Sequence, residues 1–286
     1  KKLYTFSNHV HVSTNEGESW EVISPDLTRN DPEKQKSSGG PITQDNTSVE
    51  YYCTIFAAAE SPITEGVLWT GSDDGLIHLS KDSGNSWTNV TPKGMPEWMM
   101  INSIEPSVFD AGTCYVAGTK YKTGDFAPYL YKTTDYGKTW KSINTTVPDS
   151  PVNVIREDPV NNNILYLGTD NGAYVSFDRG SSWEVFSNGV PNVAVHDIVI
   201  QPDAKDLLLG THGRSIYKAD ISSLQKMNSE MNSKPITFFD MRSVRHSSRW
   251  GSSWSQWSDA FEPEVNIQFY SNSSGNKTIK ILSEKG

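Results

Sequence analysis

Cleavage of a glycosidic bond needs two carboxyl groups about 5 to 10 Å apart on either side of the scissile linkage. The 286-residue chain has acidic side chains in quantity, 34 Asp and Glu in all. Eight of them, Glu60, Asp73, Asp74, Glu105, Asp125, Glu157, Asp158 and Asp197, stand in or beside strand-like and turn-like runs. No motif marks any of the eight as an acid or a base, so each reads as a turn or rim carboxylate. A different set has chemistry that scaffolding does not require. His212, Gly213 and Arg214 form a THGRS turn where corresponding turns carry SDDG (72–75) or TDNG (169–172), so a cationic pair replaces an acidic turn. Such a pair suits an anionic or sugar ligand through charge-assisted hydrogen bonds, or else closes one structural unit against the next. Trp98, followed by Met99 and Met100, can stack on a sugar, clamp a peptide or fill a core. With Arg156 on a neighbouring strand, these residues make the candidate ligand-binding set: His212, Arg214, Trp98 and Arg156.

Other chemistries are poorly supplied. Cys53 and Cys114 are the only two cysteines, and no CxxC or HExxH spacing occurs, so neither a thiolate metal cluster nor a cofactor is expected. Each cysteine reads as a small buried hydrophobe in a strand-like run, with a mutual disulfide as the alternative. The 25 Lys and Arg are scattered singly and the formal charge is -9, which argues against a nucleic-acid partner. No apolar run approaches the ~18 residues of a membrane helix.

The elements that must position the candidates come from a repeat. STNEGESW (13–20), SKDSGNSW (80–87), TTDYGKTW (133–140) and SFDRGSSW (176–183) all fit Ser/Thr-x-Asp/Asn-x-Gly-x-x-Trp. Their tryptophans are 67, 53 and 43 residues apart, the length of a four-stranded propeller blade with insertions. The motif is that of a hairpin turn. Asn15, Asp82, Asp135 or Asp178 accepts from backbone N–H groups of its own turn, the glycine takes a positive φ, and the tryptophan caps the core. One carboxylate per turn is too few for calcium, so the repeats predict no metal site.

Around each motif the same strand order recurs. VNVIREDP (152–159), ILYLGT (164–169), GAYVSFD (172–178) and SWEVFS (182–187) read as inner, second, third and outer strands, by period-two alternation and short Gly/Asn turns. The pattern predicts an all-β segment of a β-propeller: a partial blade over 1–25, blades over about 50–92, 98–146 and 152–190, and a partial blade over 193–220. Three full and two partial blades do not close a ring, so further blades are expected before Lys1. Residues 25–46 read as a long inter-blade loop over one face. Residues 221–260 read as a linker with a short amphipathic helix, a strand and the Trp-rich run RHSSRWGSSWSQWSD. Residues 261–286 alternate around a Gly-Asn turn and predict the opening hairpin of a second, truncated β-sandwich domain.

The four repeats, with DFAPYLYKTTDYGKTW (125–140), PEWMMINSIEPS (96–107) and LLLGTHGRSIYKAD (207–220), resemble the large bacterial BNR/Asp-box propeller proteins labelled sortilin-like or glycosyl-hydrolase-like. The resemblance covers roughly residues 1–220, and the tail from about Pro235 is similar to the linker and the start of the immunoglobulin-like domain that follow the propeller there. It implies a secreted or cell-envelope protein whose propeller binds a protein, peptide or glycan partner without cleaving it. A glycoside hydrolase with a paired-carboxylate site is the alternative. Sialidase chemistry is disfavoured, because no Arg-Ile-Pro occurs and only Arg29, Arg156, Arg179 and Arg214 precede residue 221.

Overall fold

The computed structural model describes residues 2–44, 51–228, 230–241, 243–244 and 246–282. They divide into two compact units, Lys1–Asp220 and Ile221–Gly286. In the first unit every regular element longer than one 3-10 turn is a strand, and each sheet is an antiparallel meander in chain order. β1 (Leu3–Phe6), β2 (Val10–Ser13) and β3 (Glu21–Val22) form a three-stranded sheet. Three four-stranded sheets follow. The first comprises β4 (Ile55–Glu60), β5 (Leu68–Ser72), β6 (Ile77–Ser80) and β7 (Thr88–Asn89). The second comprises β8 (Met100–Pro106), β9 (Cys114–Lys120), β10 (Asp125–Thr133) and β11 (Lys141–Ser142), and the third β12 (Val152–Glu157), β13 (Leu165–Thr169), β14 (Gly172–Ser176) and β15 (Glu184–Val185). A last three-stranded sheet holds β16 (Val195–Gln201), β17 (Asp206–Thr211) and β18 (Ile216–Asp220). The opening strands β4, β8, β12 and β16 lie side by side, so successive sheets are arranged as the blades of a propeller with these strands innermost.

The core lies between blades. Trp69, Ile77, Met99, Ile101 and Val116 form one buried cluster, and Tyr115, Leu130, Ile155, Leu167 and Trp183 another. Close approach depends on a glycine in the second strand of each four-stranded sheet: a Cβ on Gly71 would stand 2.4 Å from Ile101 Cγ2, one on Gly118 2.7 Å from Met99 Cε, and one on Gly168 2.7 Å from Val195 O. Any larger residue there would push the neighbouring inner strand away.

The repeat turns are held as their residue types dictate. Asn15, Asp82, Asp135 and Asp178 accept through Oδ1 from the backbone N–H four residues on, at 2.8 to 3.1 Å. The Ser or Thr that opens each motif accepts from the glycine N–H, and bonds from Thr139 hold the Asp135 carboxyl down at about 2. Each turn also puts the residue before the glycine at φ 60° or 61°. The tryptophans do more than cap: Trp87, Trp140 and Trp183 donate Nε1–H to Ile23, Val90 and Ile143 of the preceding blade, at 2.7 to 2.8 Å. The expectation of uniform burial needs correction. Trp183 is 5% exposed and Trp20 is 44% exposed.

Cys53 and Cys114 are both buried free thiols. Cys114 opens β9, whereas Cys53 lies outside the strands at φ 75°, just before β4. The loop over 25–46 is described as far as Gln44; Asp45 and Asn46 lie outside the described residues. Among the described residues no helix is long and apolar enough to cross a membrane.

In the second unit the expected helix is a single turn, α1 (Ser222–Gln225). β19 (Ile236–Phe238) pairs with β20 (Phe269–Ser271), Thr237 opposite Tyr270. The strand before Gly275-Asn276 takes one partner from the segment following α1, and among the described residues no strand follows that turn. A lone hairpin across the polar run SNSSGN has little apolar face to bury. Residues 283–286 lie outside the described residues.

Candidate functional site

The inner strands share an irregularity that the repeat motif does not encode. Pairing with the second strand skips one residue in each of them, between Ile55 and Ala57, Ile101 and Ser103, Val152 and Val154, and Val195 and Asp197. A β-bulge re-aims the extra side chain and commonly lies beside functional sites. The bulged residues are Phe56, Asn102, Asn153 and His196, one per blade, and all four line a single cavity of about 620 Å³. Tyr121 from the turn after β9, Asp170 from the β13–β14 turn and His212 from the β17–β18 turn complete its polar and aromatic lining.

The two amides are oriented by neighbouring blades. Asn102 donates Nδ2–H to Val152 O at 2.9 Å, and Asn153 donates to Asp170 Oδ1 at 2.9 Å and to Val195 O at 3.3 Å. Asn102 Oδ1 is buried and has no hydrogen-bond partner. A carbonyl oxygen left in that condition costs the fold its desolvation without a compensating bond. His196 and His212 face each other, ring centroids 5.4 Å apart and planes at 43°. The wall therefore offers amide, imidazole and aromatic faces, with one carboxylate already engaged.

The four residues singled out from the sequence do not form one cluster. His212 is in the cavity wall, fixed by its backbone N–H on Ala194 O at 2.9 Å. Arg214 is exposed on the same turn and is not part of the lining. Trp98 lies outside the wall at φ 60°, its indole edge-to-face with Tyr52 at 5.4 Å. Arg156 is a clamp across three blades: Nε donates to Ile198 O at 3.0 Å, one Nη donates to Ser103 Oγ at 3.1 Å, and the other reaches Asp197 Oδ1 at 3.0 Å.

The eight carboxylates considered for catalysis are engaged elsewhere. Asp73 accepts from Cys53 and Thr54 N–H, both at 2.9 Å, and Asp74 accepts from Ser72 Oγ and Arg29 N–H. Glu60 accepts from Gly66 N–H, Asp125 from Ala127 N–H and Tyr129 Oη–H, and Asp158 from Val160 and Asn161 N–H. Glu157 accepts from Ser107 Oγ, Val108 N–H and Tyr115 Oη–H. Glu105 accepts from Glu157 N–H at 3.2 Å and pairs with Arg156 at 3.5 Å; burial pushes its carboxyl up to about 7 against the pull of that arginine. None of the eight lines the cavity.

The Sortilin-Vps10 family model (Sortilin, neurotensin receptor 3) matches residues 128–285, more than half of the chain. The chain belongs to the Sortilin-Vps10 family. It is also similar to the oligoxyloglucan-reducing end-specific xyloglucanase of Emericella nidulans, 22% identical over 83% of this chain and 31% of that protein. Xyloglucanase Xgh74A of Acetivibrio thermocellus is 28% identical over 53% of this chain and 21% of its own length. Among solved structures, the GH74 xyloglucanase from Xanthomonas campestris superposes with TM-score 0.58 at 16% identity, over 77% of this chain and 34% of that one. The chain thus spans about a third or less of the length of these relatives. That superposition establishes the propeller fold, which this Sortilin-Vps10 member shares with enzymes and receptors alike.

Proposed function

We propose that this chain is the ligand-binding part of a secreted or cell-envelope propeller that holds a glycan across its inner strands without cleaving it. The single observation that carries the reading is the convergence of four bulged residues, Phe56, Asn102, Asn153 and His196, on one cavity. The amides of Asn102 and Asn153, the imidazoles of His196 and His212 and the aromatic rings of Phe56 and Tyr121 in one lining match a chain of pyranose rings, whose hydroxyl edges hydrogen-bond and whose C–H faces stack. Similarity to two xyloglucanases supports a glycan over a peptide or protein partner.

The hydrolase reading comes second, and that same similarity is its support. Against it, among the described residues the cavity holds one carboxylate, Asp170, which accepts from Asn153, where hydrolysis calls for two. The test is calorimetric titration against a panel of β-glucan, xyloglucan and control oligosaccharides, with reducing ends assayed in the same samples. Binding without new reducing ends is expected, and weakens on Asn102→Ala or His212→Ala. Release of reducing ends overturns the non-catalytic reading, and binding of peptides alone overturns the glycan reading.

A further inference from the structure

Beside the cavity, three cations are held on aromatic rings. Lys122 Nζ stands 5.5 Å from the centroid of Tyr52, whose ring meets Trp98 edge-to-face. Arg29 and Lys34 stand 5.4 and 5.6 Å from the Trp98 centroid. The support beneath them is built. Arg29 is fastened to Asp74 by its backbone N–H at 2.7 Å and its Nε at 2.8 Å, and Leu27 anchors the loop in the core, 2% exposed. Trp98 holds φ 60°, which is strained for a bulky residue. Arg29 is ion-paired with Glu97 at 3.6 Å and the Asp73 carboxylate feels the charge of Lys122, but Lys34 and Lys122 are exposed and, among the described residues, neither is within ion-pair distance of a carboxylate.

A ring face orients a cation without neutralising it, so these ammonium groups keep their charge for an anion while part of their ordering is already done. Lys122 joins the patch to the cavity along the chain, because it shares the 3-10 turn Tyr121–Thr123 with Tyr121, a residue of the cavity wall. We infer that the glycan bound across the bulges carries anionic substituents, carboxylate or sulfate, on the stretch that leaves the cavity past Tyr121, and that Lys34, Lys122 and Arg29 select for them. This rests on the glycan reading of the cavity.

The experiment uses three probes with one β-1,4-glucan backbone: a neutral cello-oligosaccharide, its C6-oxidised uronate counterpart and its sulfated counterpart. Each is titrated into the wild-type chain and into a Lys34→Ala/Lys122→Ala variant at low and at physiological salt. The wild type should bind an anionic probe about tenfold more tightly than the neutral one at low salt, the scale of one or two charge-assisted hydrogen bonds, with the advantage shrinking as salt rises. The double variant should lose that advantage and keep its affinity for the neutral probe, and Lys34→Arg/Lys122→Arg should restore it. Whichever anionic probe gains more identifies the substituent. Equal binding of all three probes by the wild type, or a preference that survives the double alanine variant, overturns this inference and leaves the cavity reading standing. Failure of every probe to bind overturns both.

Discussion

Replacing Glu105 by Gln should flatten the pH dependence of stability, and the size of the effect follows from the site. Glu105 is on β8 between blades, with its side chain 20% exposed beside Arg156. Burial, the largest influence, lifts its carboxyl from the usual 4.5 to about 7, and the arginine only partly offsets this. The folded chain therefore holds this proton more tightly than the unfolded chain. The stabilisation from protonated Glu105 is complete below pH 4.5 and disappears as the pH rises through 7. At ~1.4 kcal/mol per pH unit the loss is roughly 3 kcal/mol. A Gln at 105 keeps an acceptor for Glu157 N–H, bonded at 3.2 Å in the wild type, and cannot ionise. Urea unfolding of both proteins at pH 5, 6, 7 and 8 should give nearly equal stabilities at pH 5. At pH 8 the variant should be more stable by up to ~3 kcal/mol. Parallel curves, or a variant that is the weaker protein at pH 8, would refute the account of Glu105 as a carboxyl raised by burial.

Trp183→Ala should cost roughly 3 to 5 kcal/mol in urea unfolding, because it empties a buried site and frees the Ile143 carbonyl; Trp20→Ala, at an exposed ring, should cost under ~1 kcal/mol. Arg156→Ala should destabilise by about 2 to 4 kcal/mol by stranding Glu105 and the Ile198 carbonyl, and calorimetry should find glycan affinity unchanged once the variant is folded. His212→Ala should weaken glycan binding about tenfold. Arg214→Ala, at an exposed turn residue, should shift stability by less than ~0.5 kcal/mol.

The repeat turns were legible because their chemistry is local. An Asp or Asn side-chain oxygen, a glycine at positive φ and a tryptophan fall within eight residues, and the pattern recurs four times. What the tryptophan reaches was less legible, since its carbonyl partner lies on another blade, 40 residues away for Trp183. Arg156 illustrates the same limit: as a lone arginine in a strand it resembled a ligand contact, and its partners Ser103 and Asp197 come from blades on both sides. The cavity left little trace in residue type, because of Phe56, Asn102, Asn153 and His196 only the two asparagines share one. Its one sequence signal is a broken alternation at the same point of each inner strand, as in VNVIRE, where Val154 and Ile155 are both buried next to half-buried Asn153. His212, which lines the cavity, stands out in the sequence because its turn departs from the acidic turns of other blades.

Hydrogen–deuterium exchange with and without a saturating oligosaccharide tests the central claim most directly, because the bulges predict where protection must fall. The account predicts slowed exchange in four short segments spaced along the chain, around residues 55–57, 101–103, 152–154 and 195–197, with none at the repeat turns of Asp82, Asp135 and Asp178. Protection confined to a single blade, or concentrated at the repeat turns, would contradict a ligand held across the inner strands.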